Sequence, residues 1–417
     1  MKNKYVILGG GIAGIGAQYR LGKEASIYEA RDSVGGLCDS FNINSFTFDN
    51  AVHLSFAKDD VVRGVFDKTQ YHAHAPESMN WCWGNWVRHP VQNNSIHLPI
   101  DERIRIIKSF CYRNTDTDVK NYKEWLEYQY GEYFATKYPG CYTRKYWCCD
   151  ADKLSTKWIV GRMYQPSLDE VLEGAMKTET PNTYYTKEMR YPLKGGYKAF
   201  FDHIVDYENV HTGYKAVSID PISKTVEFEN GQTVEYENLI STLPLNQITD
   251  IIKGCPENVR SASKHLKATS ICLVSVGFKR KVSIPSIWFY MYDEKMPAAR
   301  AYSPSLKAES NAPKGKSSLQ FEIYYTDDKP LPMTAEEIKE TVIGNIVEMG
   351  IANKEDIEFV DVRYVPYANV IFYHGMEEKR QMVIDYIESL GIQTVGRFGR
   401  WEYLWSDQSF LSGYNVK

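Results

Sequence analysis

The sequence has no excess of positive charge: 49 Lys and Arg stand against 53 Asp and Glu, for a formal net charge of -4 over 417 residues. That balance argues against a nucleic-acid partner and against an anionic lipid surface. Any anionic ligand must be held by a few local cations. No run approaches the ~20 apolar residues of a membrane span. The eight cysteines include no C-x-x-C pair and no recurrent spacing, which excludes a disulfide framework and points to reduced thiols. His72-x-His74 lacks a third ligand nearby, so no metal is expected. No nucleophile elbow supports hydrolase chemistry. The apolar run at residues 5–8 is too short for the core of a signal peptide, and glycines follow it. A cytoplasmic protein is the expectation, with a homo-oligomer allowed.

What is plentiful is aromatic. The chain carries 31 Tyr and 9 Trp, enough to build both a packed core and a cleft of flat rings and hydroxyls for polar, planar ligands.

The most informative stretch is the first forty residues. A short apolar strand at 5–8 runs into Gly9-Gly10-Gly11-Ile12-Ala13-Gly14, and a helix from Ile12 to Leu21 opens from the glycines. In such a G-x-G-x-x-G turn Gly9 permits the tight bend, Gly11 lets the backbone approach a pyrophosphate, and Gly14 lets helix and sheet pack closely. A second strand from Ala25 ends at Glu29, whose carboxylate is placed to accept from ribose hydroxyls. The unit reads as a Rossmann-type dinucleotide site.

Further along, helical patterns dominate from about Asp101, read as a helix cap, to Glu173. Ile104, Ile106 and Ile107 form the first apolar stripe, and Tyr122, Trp125 and Leu126 share a later face. Asn230-Gly231 between Val226–Phe228 and Thr233–Tyr236 predicts a hairpin. Strands are expected at 271–278 and 318–325, a capping-box helix after Thr334, a helix at about 378–390 and a strand at 393–398. The fold class is α/β. A cofactor domain is built from segments 1–100, 184–260 and 366–417, with a helical substrate-side insertion at 101–183 and an antiparallel-sheet substrate domain at 261–365.

Glu29 to Gly35-Gly36 resembles the E-x-x-x-x-x-G-G extension of FAD-binding proteins of the amine oxidase type, which favours FAD over NAD. Further blocks resemble UDP-galactopyranose mutases: Trp86 to Pro99 with Gln92, Tyr142 to Trp147, Ser155 to Arg162, Trp288–Tyr290 with Arg300, and Gly396 to Gln408. The resemblance runs in order over nearly the whole chain. It implies a flavin-dependent isomerase of nucleotide sugars, in which N5 of reduced FAD attacks the anomeric carbon and pyranose and furanose forms interconvert without net redox. NAD(P)H would be the priming reductant, and a role in surface-polysaccharide synthesis follows from the same likeness.

The resemblance implies catalytic or clamping roles for His53, Arg162 and Arg300. It implies cofactor contacts from Gly9, Gly11, Gly14, Glu29, Arg31, Gly35, Gly36, Leu37, His53, Val217, Arg397, Asp407 and Gln408. Substrate contacts are implied for Phe56, Gln92, Thr143, Trp147, Trp158, Arg162, Tyr290, Arg300, Tyr367 and Tyr403. The chain departs from the mutase pattern where Ala51-Val52 replace a glycine pair, Thr143 an asparagine and His89 a tyrosine. A valine in that loop should stiffen it. The alternative is a net-redox FAD enzyme of the amine oxidase or protoporphyrinogen oxidase type, which shares the N-terminal glycines.

Overall fold

The computed structural model describes residues 3–159, 162–184 and 186–417. Val160 and Gly161, inside the Ser155 to Arg162 block, lie outside the described residues.

Asn3–Leu8 pairs in parallel with Ala25–Glu29 on one side and Thr233–Ser241 on the other. Val210–Thr212 continues the sheet beyond Ala25–Glu29, and Ile392–Thr394 joins Thr233–Ser241, both parallel. Thr225–Phe228 and Ala216–Asp220 extend it as antiparallel strands, making seven in all. Val6, Ile7 and Ile27 are completely buried, as expected for apolar strands covered on both faces. The helix Ile12–Leu21 lies against the helix Ser406–Tyr414, and a β-carbon at Gly413 would sit 1.8 Å from the carbonyl oxygen of Ala13. Glycine is what allows the two backbones to meet.

A second seven-stranded sheet runs Ile357–Val370, Ala268–Phe278, Ser317–Tyr325, Arg300–Tyr302, Trp288–Met291, Ser78–Cys82, Asn85–Arg88. Helices including Ile100–Cys111, Tyr122–Tyr130 and Leu168–Met176 form a third body of structure beside it. Among the described residues no helix is long and apolar enough to cross a membrane.

Several local expectations are corrected. Ser78–Cys82 and Asn85–Arg88, read from sequence as part of the first cofactor segment, hydrogen-bond into the second sheet, and Ile357–Val370 runs past the boundary at 365. Asp101 is not a cap: Pro99 holds that position, and Asp101 lies in the first turn, where its charge complements the helix dipole. Ile106 is buried but Ile104 is 46% exposed, so the stripe is narrower than the pattern suggested. The strand expected at 393–398 ends at Thr394, because Gly396 takes a positive φ of 83° and starts a helical turn.

Candidate functional site

The two glycine motifs, separated by one helix and one strand, form one surface. Gly35 N–H donates to the Gly10 carbonyl at 2.7 Å, and Gly11 and Gly35 bridge. Gly14 packs so tightly that a β-carbon there would lie 2.1 Å from Gly9 O. Above Gly11 the space is open, with nothing within 4 Å of an added β-carbon. Glu29 braces this turn: Oε2 accepts from Gly10 N–H at 2.6 Å and Oε1 from Arg31 N–H at 2.9 Å. Val217 lies at 41% exposure on Ala216–Asp220, whose lead-in joins Glu29 through Tyr214 N–H, 2.8 Å from Glu29 O.

Starting at Leu37, next to Gly36, a cavity of about 540 Å³ opens against the second sheet, lined there by Ile271, Trp288, Tyr290, Arg300 and Tyr324. Leu37, Ala51, Val52, His53 and Phe56 line its cofactor side. Ala51 takes φ 81°, a left-handed conformation rare for a residue with a β-carbon. His53 Nδ1 is 3.1 Å from the Ala51 carbonyl, so this nitrogen carries the proton. Burial lowers its pKa to about 4, and the ring is neutral at pH 7.

The opposite side supplies cations and rings. Arg300, on its short strand, pairs through Nε with Glu322, which is completely buried and also accepts from Tyr324 OH at 2.7 Å. Burial works against the Arg300 charge, but the Glu322 carboxylate more than offsets it and the guanidinium stays protonated. The Arg162 guanidinium stacks 4.1 Å from the Tyr403 ring centre and 4.5 Å from that of Trp405, and donates to Tyr403 O. Arg397 reaches the same ring from 4.8 Å and donates to Asn369 Oδ1 at 2.7 Å. Gln92, Tyr290 and Tyr403 also line the cavity.

Not every residue singled out from sequence reaches it. Trp147 and Trp158 stand behind the wall, with rings 5.6 and 6.2 Å from Tyr403. Thr143 is buried in its helix and donates to Pro139 O at 2.7 Å. Tyr367 turns away, bonding Asn246 Oδ1 at 3.1 Å and packing on Phe398. Asp407 and Gln408 start the helix Ser406–Tyr414 and line a smaller neighbouring pocket with Phe56 and Trp405.

Two features went unread. Glu322 could have been suspected, as the one charge in the buried run Ser317–Tyr325. Asp49 and Lys307, both fully buried, form an ion pair just ahead of the 51–53 loop. Asp49 also accepts from Ser40 Oγ, Tyr191 OH and Tyr197 N–H at 2.8, 2.8 and 2.9 Å. Burial opposes its charge, but Lys307 and these donors hold the carboxyl below its ordinary range.

The model of an NAD(P)-binding Rossmann-like domain matches residues 7–69, and that of the flavin containing amine oxidoreductases matches residues 158–382, more than half of the chain. The chain belongs to the flavin-containing amine oxidoreductase family. Among solved structures, a reduced UDP-galactopyranose mutase superposes with a TM-score of 0.92 at 26% identity, over 99% of this chain and 94% of that one. A provisionally named protoporphyrinogen oxidase from Exiguobacterium sp. gives 0.73 at 14% identity, over 99% and 97%. A putrescine oxidase with bound putrescine gives 0.63 at 15%, over 99% and 98%. The last two share the fold.

The flavin of this family fits the residues present. Open space over Gly11 suits a pyrophosphate on the helix start, and Glu29 retains lone pairs for a ribose. Beside Ala51 on the cofactor side, buried Asn50 donates to Gly36 O at 3.0 Å while its Oδ1 lacks a partner among the described residues.

Proposed function

We propose that this flavoprotein is a nucleotide-sugar mutase that interconverts pyranose and furanose forms without net redox. One observation carries the reading: Arg162 and Arg300, from distant segments, line the same tyrosine-rich cavity as the His53 loop, in a protein with no overall positive charge. Two guanidiniums suit a diphosphate, because each presents a planar fork of donors to phosphate oxygens. The mutase structure similar along the whole chain supports it.

In this reading reduced FAD supplies the nucleophile at the anomeric carbon, with NAD(P)H as its reductant. The chain's own residues do the rest. Arg300 and Arg162 hold the departing diphosphate close enough to recombine. Tyr403 completes its oxygen contacts, with Tyr290, Gln92 and Phe56 toward the nucleotide and sugar. Neutral His53 offers no positive charge to compete with the clamp. The aromatic walls keep water from the reacting carbon.

The deciding experiment reduces the purified protein anaerobically with dithionite and supplies UDP-galactofuranose or related nucleotide sugars. Ring interconversion with the flavin still reduced is the expected result. Stoichiometric flavin reduction of the oxidised protein by an amine, porphyrinogen or alcohol, without sugar interconversion, would instead establish the net-redox chemistry that the family model also accommodates.

A further inference from the structure

The cavity wall made by His89, Tyr184 and Tyr290 holds a hydrogen-bond arrangement that the arginine clamp does not use. His89 follows the strand Asn85–Arg88, and its N–H bonds Ser78 O at 3.0 Å, which fixes the backbone. Its Nδ1 lies 3.1 Å from Asn80 Oδ1. Asn80 is completely buried, and its Nδ2 donates to Val87 O at 3.1 Å. A carbonyl can only accept, so Val87 sets the amide's orientation and turns Oδ1 toward the imidazole. An amide oxygen carries no proton, so His89 Nδ1 is the donor and holds the ring's proton.

Burial pushes the His89 pKa down to about 4, leaving the ring neutral at pH 7. Nε2 is then a bare acceptor. No described residue bonds it, and the ring lines the cavity. Tyr290 lies beside it with ring centres 4.9 Å apart, and its hydroxyl oxygen accepts from Trp288 Nε1 at 3.2 Å. The Tyr290 proton therefore remains to be donated. Tyr184 lies on the other side, 5.6 Å from His89 between ring centres. An acceptor next to a donor, among flat rings, complements a flat heterocycle with an N–H next to a carbonyl.

We propose that His89, held in the Nδ1–H tautomer by Asn80, is a specificity-determining residue. It accepts a hydrogen bond from a ring N–H of the ligand's base and so selects an imide base over one whose ring nitrogen is itself an acceptor. The inference rests on the nucleoside-diphosphate site proposed above.

The test titrates the flavin-loaded protein with UDP, CDP and N3-methyl-UDP by calorimetry at pH 7.5. A buried acceptor left unpaired is penalised, so UDP should bind about 10-fold or more tightly than the other two. His89→Phe keeps a flat ring without the acceptor and should bring the three within about 2-fold of one another. Asn80→Leu frees the ring to take either tautomer and should give an intermediate ratio. If it does not fold, the wild-type and His89→Phe titrations decide. Equal wild-type affinities, or a UDP preference that survives in His89→Phe, would overturn the role of His89 and leave the arginine clamp standing. Binding of none of the three would bring down the clamp as well.

Discussion

The backbone N–H of Val52 donates to Glu322 Oε1 at 2.8 Å, while Oε2 of the same carboxylate pairs with Arg300. One buried acid thus ties the loop on the cofactor side to a cation on the substrate side. Glu322→Gln keeps the shape and an acceptor for Val52 but removes the counter-ion. Breaking such a buried pair should cost about 3 kcal/mol of stability. Urea unfolding of the variant beside the wild type measures it, and an unchanged midpoint would show that the pair contributes nothing.

Removing either guanidinium tests the clamp. Arg300→Ala and Arg162→Ala should each weaken nucleoside-diphosphate binding by about 2–5 kcal/mol, because a desolvated charge contact is lost. Isothermal titration reads it directly. An affinity within 2-fold of wild type, about 0.4 kcal/mol, for Arg300→Ala would mean the diphosphate sits elsewhere.

Two glycines of one motif should fail in opposite ways. An added β-carbon at Gly11 meets nothing within 4 Å, so Gly11→Ala should leave the apoprotein's melting temperature nearly unchanged yet crowd the phosphate and weaken flavin uptake. Gly14→Ala drives a β-carbon to 2.1 Å from Gly9 O and should destabilise the fold itself. Visible absorbance of the purified variants and thermal melts separate the two effects.

Ala51 pays for its left-handed backbone, so Ala51→Gly should raise stability by about 1 kcal/mol. The freed loop should also exchange the amide protons of residues 51–54 faster. Slower exchange, or a lower melting temperature, would count against strain at this position.

Stability should fall in mild acid. His53 and His89 are both lowered from 6.5 to about 4 by burial. An unfolded imidazole takes up a proton near 6.5, whereas the folded rings resist until about 4, so acid favours the unfolded chain between those values. The stability is complete above pH 6.5 and declines toward pH 4, by up to about 3 kcal/mol for each ring. Unfolding midpoints at pH 7.5 and 4.5 measure the drop, which should shrink in a His53→Gln, His89→Phe double variant.

The cofactor side was readable because it is local. Gly9 to Glu29 forms one βαβ unit whose spacing is set by a helix of ten residues, and Ile12–Leu21 lies where the pattern put it. The Glu322–Arg300 and Asp49–Lys307 pairs join residues 22 and 258 positions apart and leave no periodic trace. Tyr367 and Thr143 were assigned through a motif alone. Tyr367 bonds Asn246, 121 positions away, which no spacing announces, whereas Thr143 takes the i−4 carbonyl of Pro139, the ordinary partner of a threonine inside a helix.

The helix Ser406–Tyr414 backs the helix that opens from the phosphate turn, and Ile392–Thr394 closes the sheet beneath it. The seat for the phosphates is thus a non-local structure: a change in how Ser406–Tyr414 packs on Ile12–Leu21 reaches the glycine turn without altering a single glycine.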